Sequence, residues 1–252
     1  MLAVIGGTGL YDPVFLAGAK EQVIKTPYGD ADAIVGEGPQ GPMVFMARHG
    51  RGHGIPPHLI NYRANIWALY SMGVTGILAT AAVGSLRREL APGSFLLLDQ
   101  FIDFTKTRIN TFAEDRVIHV DFTRPYCPRL GDYLIDSAHR LGIELRDSGC
   151  YVCTEGPRYE TPAEVNMFAQ LGGDVVGMTN VPEVVLAREL GICYATVTVV
   201  TNYGAGIAPV PLSHDEVGKV MTKNSKDLRR LLQTTMELVP PGEGACCGKG
   251  DG

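Results

Sequence analysis

The 252-residue sequence lacks the features that would direct a protein to a membrane or to nucleic acid. No apolar run approaches the roughly 18 consecutive residues that a membrane-spanning helix needs. The net charge of -5 is unfavourable for a surface that binds a phosphate backbone. The opening residues, Met1 to Ile5, carry neither the basic stretch nor the long apolar core of a secretory signal. We therefore expect a cytoplasmic protein with no membrane partner and no nucleic-acid partner.

The six cysteines lack the spacing that a metal site requires. Cys150 and Cys153 are spaced like one half of a zinc site, but the only other close pair is Cys246-Cys247 in a glycine-rich stretch. A structural zinc site needs a matching second pair of ligands. We therefore expect no metal, and reduced thiols with a structural role.

The composition that is present favours one globular core. The chain is 45% hydrophobic and 19% charged, and it shows neither an internal repeat nor a domain boundary. Its length suffices for one α/β domain, which we predict over residues 1–239, with a disordered tail over 240–252. Helical spacing predicts helices over 61–72 and 130–141, from residue 162, over 182–190, and from a Ser213 cap onward.

The stretch from Val175 to Glu183 organises the chain. Its apolar start reads as a buried strand, and Pro182 is suited to the first turn of the helix that follows. Glu183 places negative charge in that first turn. Met178 and Thr179 thus stand where a strand ends and a helix begins, which is where ligands bind in open α/β sheets. The alternative is an ordinary connection between a strand and a helix.

Two other predicted strand ends favour an anion. Glycines around Thr8 follow the first strand, where backbone N–H groups can converge on phosphate. Asp12 stands where a dinucleotide-binding fingerprint needs its third glycine, so phosphate without a nucleotide cofactor is the more natural ligand. Arg48 and His49 follow the strand at 44–47, and a guanidinium fork matches phosphate geometry. The alternative for this pair is a solvated basic loop.

Further strand ends supply small, aromatic and amide groups. The strand from residue 76 runs into Ala81 and Ala82, whose small side chains allow a ligand close to the backbone. Tyr159 could stack on a planar ligand, and Glu160 could accept a hydrogen bond from its edge. Asn202 ends the strand at 192–201. Neither a Ser-His-Asp signature nor a glycosidase pair of carboxylates is evident, and the set suits phosphate, a heterocycle and a sugar.

Five motifs, read together, are specific. They are Ile5-Gly6-Gly7-Thr8-Gly9-Leu10, Ala47-Arg48-His49-Gly50, Asn61-Tyr62-Arg63-Ala64-Asn65-Ile66-Trp67-Ala68-Leu69, Glu155-Gly156-Pro157-Arg158-Tyr159 and Gly177-Met178-Thr179-Asn180-Val181-Pro182-Glu183. With these motifs the chain resembles the trimeric nucleoside phosphorylase family, which includes purine nucleoside phosphorylase and methylthioadenosine phosphorylase. The resemblance runs from Met1 to about Leu238 and implies a single α/β domain with a mixed central β-sheet flanked by helices.

The resemblance implies phosphorolysis of a nucleoside to a free base and a sugar 1-phosphate. It implies no cofactor, with inorganic phosphate as co-substrate, and a homotrimer or a dimer of trimers. The implied phosphate ligands are Thr8, Arg48, His49, Ala81, Ala82 and Thr179. The implied sugar and base residues are Tyr159, Glu160, Met178, Asn202, Gly204, His214 and, from a neighbouring subunit, His119. The implied catalytic residues are Asn202, His49 and Thr179.

Two positions favour the 6-oxopurine branch of the family. Methylthioadenosine phosphorylases place Asp-Tyr-Asp where this chain has Asn202-Tyr203-Gly204, and an amide can donate to O6 of hypoxanthine or guanine. Glu160 matches a glutamate that accepts from N1–H in 6-oxopurine enzymes. His214 follows their pattern at the ribose 5′-hydroxyl, although a residue of a capped helix start is the alternative. We therefore expect inosine and guanosine as substrates, and the rivals are a methylthioinosine or methylthioadenosine phosphorylase and a non-catalytic purine-binding protein.

Overall fold

A computed structural model describes residues 1–10, 13, 15–50, 52, 54–208 and 214–242, with only the backbone at residue 214. The strands in these ranges are β1 (Leu2–Gly6), β2 (Ala17–Thr26), β3 (Gly29–Gly38), β4 (Gly41–Ala47), β5 (Gly76–Ser85), β6 (Phe95–Leu97), β7 (Gln100–Phe104), β8 (Leu145–Arg146), β9 (Cys150–Thr154), β10 (Val175–Gly177) and β11 (Cys193–Tyr203). The helices are α1 (Tyr62–Ser71), α2 (Pro128–Leu141), α3 (Pro162–Gln170), α4 (Asn180–Glu189) and α5 (His214–Leu238).

All of these strands join one mixed sheet, as the fold class predicted. Its main path runs β2-β3-β4-β1-β5-β10-β9-β7, and β11 pairs with both β5 and β6. β1 pairs in parallel with β4 and β5, whereas β10 pairs antiparallel with β5. Every described strand therefore contributes to a single sheet, and both strand directions occur within it.

Strand β5 has an opening along one edge, and this opening positions the site. On that edge the residues from Gly76 to Ala79 pair with β1, and Gly84 and Ser85 pair with β10. Residues 80–83 pair with neither of those two strands. On the other edge β11 pairs with β5 over its whole length, which holds the strand in place. The opening between β1 and β10 thus exposes backbone and small side chains of β5.

Helices cover both faces of the sheet. Ala3 and Ile5 belong to a core cluster that contains residues of α1 and α4, whereas Leu2 and Val4 belong to a cluster with residues of α2 and α5. This alternation is the period of two that a strand buried on both faces imposes. None of the helices in the described ranges has the length and apolar character needed to cross a membrane.

Most predicted elements are present, but the β2–β3 hairpin, β7 and β8 were not predicted. The structure confirms the predicted strands near 1–5, 44–47, 76–85, 95–98, 149–153, 175–178 and 192–201. It also contains a helix at each place where the sequence predicted one. The β2–β3 hairpin was not predicted, because β2 is largely exposed and carries no apolar alternation. The long irregular segment over 108–126 is confirmed to contain no helix or strand. The Ser213 cap and the tail from residue 243 onward lie outside the described residues.

Candidate active site

A cavity of about 480 Å³ opens where β5 lies between β1 and β10. It brings together predicted residues from six separate parts of the chain. Those residues are Thr8, Arg48, His49, Ala81, Ala82, Tyr159, Glu160, Met178, Thr179 and Asn202. Met178 and Thr179 of the 175–183 stretch line the same cavity as the other predicted groups, which favours a ligand site over an ordinary connection between a strand and a helix.

The floor of the cavity is backbone and glycine. The Gly7 N–H donates to Thr80 Oγ1 at 3.1 Å. A Cβ atom at Gly7 would lie 2.8 Å from the Thr80 carbonyl oxygen and 2.9 Å from Arg48 Nη1. Any larger residue would push these groups apart, so the glycine is required by close packing and not only by flexibility. Small residues thus bring the β1 loop, β5 and Arg48 together.

Arg48 is held by a partner that the sequence did not predict. Its Nε and Nη2 donate to the two carboxylate oxygens of Glu183 at 2.7 and 2.6 Å, and its Nη1 donates to the Thr80 carbonyl at 2.8 Å. The Tyr194 hydroxyl also donates to Glu183, at 2.5 Å. Burial opposes charge on the guanidinium, but the Glu183 carboxylate outweighs it and raises the pKa of Arg48. The solvated-loop alternative is wrong for Arg48, which is 1% exposed.

Glu183 therefore has a different role from the predicted one. The sequence placed it in the first turn of a helix, where a carboxylate favours the dipole. It does occupy that turn, but it is 1% exposed and its carboxylate faces Arg48. Residues 48 and 183 are far apart in sequence, so no local pattern could reveal this pair.

His49 is oriented by the loop that follows it. Its ring lies with Nδ1 at 2.9 Å from the Ile55 carbonyl oxygen. A carbonyl only accepts, so this contact assigns the proton of the neutral ring to Nδ1 and leaves the lone pair on Nε2. His49 is 6% exposed, and Ile55, Pro56 and Pro57 line the cavity beside it. These three were not predicted, because they follow the motif instead of belonging to it.

Glu160 and Tyr159 form the opposite wall. Tyr159 keeps 38% of its surface exposed, whereas Glu160 is 9% exposed and accepts a hydrogen bond from Thr154 Oγ1 at 2.7 Å. Burial raises the pKa of the Glu160 carboxyl, and the Thr154 hydroxyl acts in the opposite direction. Thr154, at the end of β9, was not predicted as a site residue. The sequence signal that could have identified Thr154 was a hydroxyl side chain at the end of a predicted strand, directly before the motif that begins at Glu155.

Asn202 presents an amide of fixed orientation. Its Nδ2 donates to the Tyr203 carbonyl at 2.9 Å, and its Oδ1 lies 2.8 Å from the Thr201 hydroxyl. Since the carbonyl can only accept, the NH₂ end of the amide is identified, and one N–H remains for a ligand. The register between β11 and β5 shifts between Val200 and Asn202. That irregularity allows consecutive residues, Thr201 and Asn202, to line the cavity together.

Met178 and Thr179 complete the floor. Gly156 has a φ of +66°, and a Cβ atom there would lie 2.6 Å from the Met178 sulfur. This glycine therefore allows the loop that bears Tyr159 to lie against Met178. The Thr179 backbone N–H donates to the Tyr151 hydroxyl at 3.2 Å, but its side chain makes no capping bond to α4. The position is thus fixed by backbone contacts while the hydroxyl is not used by the helix.

Two predicted residues, Gly204 and His119, do not meet the others in this chain, and a third, His214, cannot be placed. Gly204 is buried outside the cavity lining, where its N–H donates to the Ser85 carbonyl at 2.7 Å and a Cβ would meet Val165. His119 is exposed on the irregular segment and does not line the cavity. The His214 side chain lies outside the described residues. Val217, in the first turn of the same helix, does line the cavity.

The thiols of Cys150 and Cys153, which have the spacing of half a zinc site, are held in their protonated form by burial. Burial raises the pKa of Cys150 to about 11 and that of Cys153 to about 12. Thiols with raised pKa values are poor nucleophiles and poor metal ligands at neutral pH. Within the described ranges, no group of three or more His, Cys, Asp or Glu side chains could hold a metal ion.

Comparison with known proteins agrees with this geometry. Residues 1–237 match the model of the phosphorylase superfamily. The 6-oxopurine nucleoside phosphorylase of Pyrococcus furiosus is 52% identical over 95% of this chain and 93% of its own length. The S-methyl-5′-thioadenosine phosphorylase of Thermofilum pendens is 43% identical over 98% of this chain and 95% of its own length.

Solved structures give the same result. Methylthioadenosine phosphorylase from Schistosoma mansoni in complex with adenine superimposes with a TM-score of 0.91 and 34% sequence identity. The match covers 94% of this chain and 91% of that one. Fold and site together define an α/β nucleoside-type phosphorylase. The chain belongs to the phosphorylase superfamily.

Proposed function

We propose that this enzyme phosphorolyses 6-oxopurine nucleosides, inosine and guanosine, to the free base and ribose 1-phosphate in purine salvage. One observation carries the proposal. The oriented NH₂ group of Asn202 and the buried carboxylate of Glu160 line one cavity, which also contains the predicted phosphate residues. A donor and an acceptor that line one cavity complement the N7/O6 edge and the N1–H of a 6-oxopurine.

The chemistry follows from charge development. Departure of the base leaves an oxocarbenium-like sugar, and a phosphate held below C1′ stabilises that cation electrostatically. Thr8, Arg48, Thr179 and the backbone at residues 81–82 supply donors for this phosphate, and the imidazolium form of His49, with a proton on Nε2 as well, supplies another. All of these residues line the cavity, and Arg48 lies against Gly7 and the Thr80 carbonyl of β5. No cofactor is needed, since phosphate itself is the nucleophile.

The leaving base is stabilised at the other end. The departing purine carries negative charge, and the remaining N–H of Asn202 can donate to N7 as that charge develops. Met178 would lie beneath the ribose, and Tyr159 would cover the base. Asn202 is therefore the residue whose contact strengthens most in the transition state.

The 5′-methylthio nucleosides define the rival substrate class. The relative named for 6-oxopurine nucleosides is 52% identical to this chain, and the one named for methylthioadenosine is 43% identical. The higher identity to the 6-oxopurine relative favours the 6-oxopurine assignment. The presence of Asn202 and Glu160 in one cavity favours it as well. Phosphate-dependent release of hypoxanthine from inosine tests the enzyme against a silent purine-binding protein.

Adenosine is expected to be a poor substrate beside inosine. Adenine offers no proton at N1 for the Glu160 carboxylate, and its N6 amino group would meet the NH₂ end of Asn202. Two mismatched polar contacts in a buried pocket cost about 2–6 kcal/mol in catalytic efficiency. The measurement is kcat/KM for inosine, guanosine, adenosine, methylthioinosine and methylthioadenosine with saturating phosphate. Equal efficiencies for adenosine and inosine would contradict the assignment of the base.

His214→Ala is expected to affect inosine more than methylthioinosine. Helix α5 begins at His214, and Val217 places its first turn at the cavity. If His214 binds the ribose 5′-hydroxyl, its loss costs inosine about 1–3 kcal/mol, and the thioether has no hydroxyl to lose. The measurement is the ratio of kcat/KM for the two nucleosides in both proteins. An unchanged ratio would mean that His214 does not bind the 5′-hydroxyl, and the 5′-methylthio nucleosides would then become the preferred substrate hypothesis.

We also propose that the enzyme is a cytoplasmic homotrimer, alone or as a dimer of trimers. His119 is exposed and does not line the cavity of its own chain, so it is available to complete the cavity of a neighbouring subunit, as the trimer of the family implies. Sedimentation of the intact protein measures the state. A monomer that retains full activity would remove His119 from the site.

A further inference from the structure

Glu160 depends on a hydrogen bond from the neighbouring strand. Thr154 Oγ1 lies 2.7 Å from Glu160 Oε1 and 3.4 Å from the Gly177 carbonyl oxygen. A hydroxyl has one proton, and the shorter contact to a carboxylate is the stronger one. Thr154 therefore donates to Glu160. It also lies beside Gly177, the last residue of β10, which Met178 follows in sequence.

Besides Thr154, the backbone N–H of Glu160 itself and the charge of Arg158 favour the ionised form of this carboxyl. The charged groups near it are Glu164 on α3 and Arg158 on the preceding loop, and Tyr159 is its neighbour. Arg158 donates to both oxygens of Glu164, at 2.8 and 2.7 Å, so that it acts on Glu160 through its charge and not through a hydrogen bond. Glu160 is thus a buried acid whose closest side-chain donor is a hydroxyl.

The protonation state of Glu160 decides which base it accepts. An ionised carboxylate accepts from N1–H of a 6-oxopurine, whereas a protonated carboxyl donates to the bare N1 of a 6-aminopurine. Burial favours the protonated form, and the Thr154 hydroxyl favours the ionised form. The Thr154 hydroxyl therefore opposes the effect of burial on the pKa of the Glu160 carboxyl, the group that would contact N1 of the base.

We propose that Thr154 is a positioning residue that sets the preference for 6-oxopurines by holding Glu160 as an oriented carboxylate. This inference rests on the proposed function, because it assigns base selection to Glu160. Thr154 touches neither phosphate nor sugar, and it does not line the cavity. It acts on substrates only through Glu160.

The variant that tests this is Thr154→Val, which keeps the branched shape that suits a strand and removes the hydroxyl. We expect kcat/KM for inosine at neutral pH to fall about tenfold, with adenosine changed much less, as for loss of a hydrogen bond to a charged group. The ratio of adenosine to inosine efficiency should therefore rise about tenfold. Thr154→Ser retains the hydroxyl and is expected to restore the ratio.

The pH profile separates this role from a loss of packing. In the parent enzyme the adenosine-to-inosine ratio should rise as pH falls, because protonation of Glu160 creates the donor that adenine needs. Without the hydroxyl the protonated form persists to higher pH, so the rise should move upward by about one pH unit. Loss of packing alone would lower kcat/KM for both substrates by a similar factor. The pH dependence of their ratio would then stay the same.

Outcomes for this inference and for the proposed function are distinguishable. Calorimetric binding of hypoxanthine and adenine gives the same comparison without turnover. If the parent prefers inosine and Thr154→Val changes neither the ratio, the pH profile nor the relative base affinity, the inference is wrong and the function stands. A parent that neither cleaves inosine nor binds hypoxanthine overturns both.

Discussion

Replacing Arg48 with alanine is expected to lower the free energy of unfolding by about 3–5 kcal/mol, the usual result of breaking a buried ion pair. Glu183 is 1% exposed, and both its oxygens accept from the Arg48 fork. Without the guanidinium, this carboxylate keeps the hydrogen bond from the Tyr194 hydroxyl but has lost the cation that balances its charge. Chemical denaturation followed by circular dichroism measures the change. A variant that unfolds no more easily than the parent would contradict the buried pair.

The same substitution is expected to weaken phosphate use far more than nucleoside binding. Arg48 lines the end of the cavity assigned to phosphate, and a lost charge-assisted contact costs about 2–5 kcal/mol. The measurement is the phosphate dependence of the initial rate at saturating inosine. Because the protein is also destabilised, this measurement needs a variant that restores stability.

A double variant separates the two contributions. Arg48→Met with Glu183→Gln removes both charges, and the amide carbonyl of glutamine can still accept from the Tyr194 hydroxyl. Removing both partners of a buried pair is often close to neutral, so most of the lost stability should return. The KM for phosphate should stay raised. Recovery of both stability and phosphate KM would make Arg48 a structural partner of Glu183 only.

Glu183→Gln alone is the matched control. It leaves the Arg48 cation buried without its carboxylate, so that a bound phosphate would become the counter-anion. Ligands that bind the folded state raise its stability by mass action. We therefore expect phosphate to raise the melting temperature of this variant more than that of the parent.

Replacing Asn202 with alanine is expected to lower kcat for inosine about 10²–10³-fold, the usual effect of removing one donor to a developing negative charge. The amide NH₂ is oriented by the Tyr203 carbonyl, so that its remaining N–H can reach the purine as the glycosidic bond breaks. Single-turnover release of hypoxanthine measures the chemical step. An unchanged rate would remove Asn202 from the transition state.

Asn202→Asp and a neighbouring control sharpen this result. Aspartate replaces the donor with an acceptor, so inosine activity should fall while the gap to adenosine narrows. Tyr203→Phe is the control, because the Tyr203 hydroxyl donates to the Arg88 carbonyl away from the cavity while the backbone carbonyl that orients Asn202 remains. The control should keep parent activity. An equal loss in both variants would point to distortion of β11 and not to a missing donor.

The strands and their polar ends could be predicted from local sequence. Apolar runs such as the one before Met178 are buried strands, and the carboxyl ends of such strands gather at the cavity. The glycines beside Thr8 and Arg48 also have a local signature. Periodicity and turn chemistry act within a few residues, which is why these features are readable without the fold.

Other features depend on where distant segments meet. The β2–β3 hairpin was missed since its first strand is exposed and has no apolar alternation. Gly204 was assigned to the site through the family resemblance, yet it follows the end of β11 and lies outside the cavity lining, where a Cβ atom would meet Val165. A motif alone does not decide which of its residues reach the cavity, because that depends on how segments distant in sequence pack around it.

The sequence by itself determined the fold class, the family resemblance and most of the residues that line the cavity. Only the tertiary structure decided how those residues are held. Arg48 meets Glu183 across 135 positions of sequence, and Thr154 reaches Glu160 across a loop that follows its strand. These hydrogen bonds set the charge and orientation of the site. The first forms because the fold brings the end of β4 to the first turn of α4, and the second because the loop after β9 folds back onto the end of that strand. No local pattern specifies either contact.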